Sequence, residues 1–163
     1  MPGRLFGFAQ TVEDVAARII PTFHPELATA RIKYVGVDKA SKSNGKVVLG
    51  KSGRISGMNA LLTDADFYVL VALDQWNEMD DRKRTALVDH LLEACTGEED
   101  EQNGTMKWKM RKPDIHEFTS VLHRHGAWTE ELSGMVEVAQ RLNIEARAQE
   151  VSDEIDEELE QDE

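Results

Sequence analysis

Apolar residues along the chain fall into two rhythms, one helical and one extended. Val12, Val15, Ala16, Ile19 and Ile20 recur every three or four positions, the period of a helix with one buried face. Thr11 with Asp14 makes a capping signal at its start, and Pro21 predicts its end. After "HPEL" comes "ATARIKYVGV", rich in β-branched and aromatic residues and predicted as a strand. "DKASKSNGKVVLGKSGRISGMN" is loop-like, although "KVVLG" can pair as a short strand across the Asn44-Gly45 turn. "DFYVLVAL" is continuously apolar, which predicts a strand buried on both faces.

Helical spacing returns from about Asp74 to Cys95, where Trp76, Met79, Leu87, His90, Leu91 and Ala94 share much of one face. "TGEEDEQNG" breaks that helix, and "TMKWKMRK" alternates like a strand or hairpin arm. "PDIHEFTSVLHRHG" predicts a helix opened by Pro113 and stopped by Gly126. A last helix runs from about Thr129 into the 140s. The pattern adds up to an α+β fold: a small sheet from residues 30 to 72 and near 106, packed with three or four helices. Further on, Val151, Ile155 and Leu159 sit four apart, and Ile144 and Ala148 extend the series backwards. The end of the chain is therefore either a helical extension with an apolar stripe or a disordered, solvated tail.

Composition sharpens this picture at two points. The 163 residues, 40% apolar, suffice for one core, and no apolar run approaches the ~20 residues of a membrane span. The N-terminus has no apolar core of the kind a secretion signal carries, and Cys95 stands alone, which excludes an internal disulfide or a cysteine-based zinc knuckle. A cytoplasmic setting is expected. The net charge of −12 is uneven: the segment from Glu150 onwards holds nine acids and no Lys or Arg, leaving −3 for the body. The expected division is a domain over residues 1–148 and an acidic tail over 149–163. Conversely, Arg31, Lys33, Lys39, Lys42, Lys46, Lys51 and Arg54 face only Asp38 within their segment, a basic arm that suits a nucleic acid or another anionic partner. Lys107, Trp108 and Lys109 add a second basic stretch, with the indole either stacking on a base or packing in the core.

Candidate chemistry centres on "ALVDHLLEAC". A zinc-peptidase helix needs His at i and i+4, because a helical turn then points both imidazoles at one ion. It also needs Glu directly after the first His, to take a proton from metal-bound water. The chain offers His90, but Leu91 follows it and Ala94 stands four on. His90, Glu93 and His116 form a conceivable rebuilt metal trio, with Asp89 or Asp114 behind it. "HRHG" reads as a helix end with favourable cations, not as ligands. Cys95 lies beside an acidic loop, a poor setting for a nucleophile. No GxGxxG, P-loop or Gly-x-Ser-x-Gly is present.

Four segments in order carry a resemblance: "FHPELATARIKYV", "NGKVVLGKSGRISGMNALLT", "DFYVLVALDQWNEMDDRKRTALVDHLLEAC" and "PDIHEFTSVLHRHGAW". From about Val12 to Trp128 the chain resembles the phage metallopeptidases, small zincin-like proteins of phages and prophages. The resemblance implies a zincin-like fold, a zinc ion and a His-Glu-Leu-x-His helix. Only His90 matches that helix motif: Leu91 stands at the general base, Ala94 at the second ligand and Pro113 at a further family His. The resemblance therefore implies a pseudo-metallopeptidase in a bacterial host cell, without a resident cofactor, that works by binding a host or phage protein, with counter-defence as a candidate role. The alternatives are a metal-dependent peptidase on His90, Glu93 and His116, and a nucleic-acid binder using residues 31–54. No membrane partner is expected.

Overall fold

A computed structural model of the chain describes residues 3–161, and the side chains of its last helix as far as Glu150 and again at Asp153. The chain divides into two units, Met1–Lys112 and Pro113–Glu163. Among the described residues they carry six helices and several small sheets, an α+β protein.

The first unit runs β1 (Phe6–Phe8), α1 (Gln10–Phe23), a 3-10 turn (Pro25–Leu27), β2 (Ile32–Val37), β3 (Ser41–Ser43), β4 (Lys46–Val48) and β5 (Gly50–Arg54). It continues with α2 (Gly57–Thr63), β6 (Phe67–Ala72), α3 (Leu73–Trp76), α4 (Asp81–Glu93), β7 (Cys95–Glu99) and β8 (Met106–Met110). Its main sheet has the order β1-β2-β6-β5. Strand β6 lies at the centre, parallel to β2 and antiparallel to β5, which explains its apolar run. Helices α1 and α4 pack together, and their buried faces meet the sheet in one core of Val12, Ala16, Leu27, Phe67, Val69, Val88 and Leu92. At about 25 cal/mol per Å² of apolar surface, this burial is the main force holding the unit together.

Several elements depart from the sequence reading. Helix α1 runs two residues past Pro21, because a proline so near the end forfeits only its own N–H bond. The His24 N–H still donates to Ile20 O at 2.9 Å. Thr11 caps nothing: the helix starts at Gln10, and the Ala9 N–H before it is held by Tyr34 O in β2. The helix expected from Asp74 to Cys95 is two helices, broken before Asp80, whose carboxylate accepts from the Lys83 N–H and caps α4. Residues near 106 pair with β7 in a separate hairpin and do not join the main sheet. The turn at Asn44-Gly45 forms as expected, with both residues at positive φ joining β3 to β4.

The second unit holds α5 (Thr119–His125) and α6 (Glu130–Gln161). Helix α5 begins six residues after Pro113 and stops at Gly126, whose φ of 67° suits glycine. Thr129 Oγ1 accepts from the Leu132 N–H at the start of α6, and Leu132 is buried. Helix α6 continues to Gln161, while the side chains of Val151, Ile155 and Leu159 lie outside those described. Among the described residues, no helix is long and apolar enough to cross a membrane.

Candidate functional site

Helix α4, on which the sequence placed the candidate chemistry, borders a cluster of ionisable side chains. Its inner face is hydrocarbon: Val88, Leu91 and Leu92 are all in the core. His90 lies about 100° round the helix from Asp89 and is exposed. Ala94, half-buried, ends the helix. An ion gripped from His90 in the zinc-peptidase manner needs a donor four residues on, and Ala94 has none. The residues at these positions do not fit a zinc ion.

Asp89 and Glu93, by contrast, sit four apart and share a face. Against them stands His24, whose ring is fixed by the chain on both sides. Its N–H closes the end of α1, and its carbonyl accepts from the Leu27 N–H in the following turn. The ring is 1% exposed. Nε2 lies 2.6 Å from Asp89 Oδ1, and Nδ1 lies 3.7 Å from Glu93 Oε2. Arg111 reaches Glu93 from the other side, with Nη1 2.6 Å from Oε1. Its backbone N–H donates to Ala94 O at 2.7 Å, so the end of β8 delivers the guanidinium to the end of α4. Among the described residues, His24, Asp89 and Glu93 form a group whose donor atoms lie within 4.8 Å of one another.

Of the trio expected from sequence, Glu93 joins this cluster and His90 lies beside it on α4. His116 belongs to the second unit, where it lines a cleft of about 310 Å³ with Glu117, Trp128 and Glu131. His24 and Arg111 carried no local signal, since each lies far along the chain from α4. The pair Asp89 and Glu93 did carry one: two acids at helical spacing on a helix already singled out.

The basic residues are distributed differently from one another. Arg31 closes an internal corner. Its N–H, Nε and Nη2 all donate to Asp66, and Nη1 pairs with Asp64. Burial alone would raise the Asp66 carboxyl, but the hydrogen bonds and charge of Arg31 hold it below the usual carboxylate range. Lys107 pairs with Asp100, and Lys109 pairs with Glu98 across the β7–β8 hairpin. Trp108 packs edge-on against Phe67, with ring centroids 5.6 Å apart. Lys33, Lys39, Lys42, Lys46, Lys51 and Arg54 are exposed. Cys95 is buried, and burial pushes its thiol up to about 11, which keeps it in the unreactive form.

No curated protein and no solved structure matches the chain. One family model does, over residues 8–140, which include both α4 and the His24 turn. The chain belongs to the family described as "putative phage metallopeptidase".

Proposed function

We propose that this member of the family works by binding a partner protein and not by hydrolysis. One observation carries the reading: the residue after His90 is Leu91, 4% exposed and part of the hydrophobic core. An alkyl group cannot take a proton from water, and no side-chain rotation brings a base to that position. The carboxylates nearby, on Asp89 and Glu93, face His24 and Arg111. The body is then a zincin-like frame whose helix has been filled with packing residues, a change that commonly gains stability. The partner is a protein of the phage or its bacterial host, with a counter-defence role as the candidate task. The acidic segment from Glu150 suits a basic surface on that partner.

Zinc analysis of the purified full-length protein, with a peptidase assay on the same sample, tests this reading. It expects far less than one zinc per chain and no cleavage. One zinc per chain that disappears in His90→Ala, together with cleavage, would overturn it. A nucleic-acid role is the second reading, favoured by the exposed Lys33, Lys39, Lys42, Lys46, Lys51 and Arg54. It expects binding to a DNA fragment that weakens steeply with salt.

A further inference from the structure

Asp89 and Glu93 stand in the last turns of α4, where the backbone dipole is negative and anions are disfavoured. Two like charges at this spacing repel as well. Keeping both requires positive charge close by, and the chain supplies it from a distance. Arg111 is held in place by its backbone bond to Ala94 O and by its side-chain pair with Glu93. Beneath the two acids lies the buried His24 ring.

One imidazole with two carboxylates is a donor set that divalent transition metals accept. We infer that the Arg111 guanidinium is a built-in cation standing over a latent metal site made by His24, Asp89 and Glu93, and that removing it opens the site to zinc. The inference rests on the non-hydrolytic reading, in which the wild-type chain carries no metal.

The geometry leaves a modest adjustment to make. Zinc bonds of about 2.0–2.2 Å place donors roughly 3.4 Å apart. The three donor atoms lie within 4.8 Å of one another, so no pair must close by more than about 1.4 Å. His24 is the fixed member. Its two ring nitrogens face different carboxylates, so an ion takes one of them and one acid turns to join it. Asp89 and Glu93 have the room, with side chains 44% and 57% exposed.

Calorimetric titration of the full chain with zinc chloride tests this, comparing wild type with Arg111→Ala. Arg111→Ala should bind one equivalent at least about tenfold more tightly than wild type, and zinc should raise its melting temperature. Adding Glu93→Gln, a conservative change at a half-exposed position, should abolish the gain even if His24→Ala fails to fold. Equal affinity in wild type and Arg111→Ala would overturn the inference, as would a gain that survives Glu93→Gln. One tightly bound zinc in wild type that depends on His24 and Glu93 would also overturn it. Zinc lost on His90→Ala, with hydrolysis, would instead sink the non-hydrolytic reading.

Discussion

At the starts of β2 and β6 the acid is buried and the base reaches water; at the end of α4 the base is buried and the acids reach water. Asp66 is 8% exposed, while the Arg31 side chain that binds it is 53% exposed. His24 is 1% exposed under two half-exposed carboxylates. The first cluster is closed. Both Asp66 oxygens accept from Arg31, and the Asp66 N–H donates back to Arg31 O at 2.7 Å. That arrangement ties together the entries of two parallel strands and engages both Asp66 oxygens. The second cluster leaves its carboxylate side chains half-exposed, within reach of water. Two clusters of acid and base thus differ in which partner is buried.

The sharpest test of the contrast is His24→Ala. Removing a fully buried ring should cost about 3 kcal/mol in urea unfolding. Asp66→Ala should cost about 2 kcal/mol, because it leaves several Arg31 donors to partial solvent. Asp89→Ala, whose side chain is half in water, should cost under about 1 kcal/mol. A loss for Asp89→Ala equal to that for His24→Ala would break the comparison.

Acid should separate the clusters next. The Asp66 carboxyl titrates lower in the folded chain than in the unfolded one. Its contribution is therefore fully present above the unfolded value of about 3.9 and is lost as pH falls through the folded value. Thermal melts of Asp66→Asn should be flatter than wild type below about pH 4. Matching slopes would show that Arg31 does not hold this carboxyl. The smallest expected effect is at Cys95, which should stay unlabelled by iodoacetamide until the protein unfolds. Rapid labelling of the native chain would mean that the core around α4 opens.

Strands β2 and β6 were legible because burial leaves a run of apolar residues, and the β3–β4 hairpin because Asn-Gly is a turn signal. Strands β1 and β5 were not. Phe6–Phe8 is too short to show a period, and "GKSGR" is a polar edge whose pairing is dictated by β6. The break before α4 was hidden because Met79 kept the apolar rhythm going across it. The cluster was half legible: Asp89 and Glu93 lie in one helical pattern, whereas His24 joins them across 65 residues through tertiary packing. Long-range pairing of that sort leaves no mark on local spacing.

Helix α6 spans 32 residues, about 48 Å of continuous rod. Its acids crowd towards the end whose dipole is already negative, so each added helical turn there works against electrostatic self-repulsion. The rod's length is therefore coupled to whatever neutralises it: counterions at high ionic strength, protons in acid, or a cationic surface laid alongside. A ligand that binds this end would find part of its binding energy already stored as relief of that repulsion.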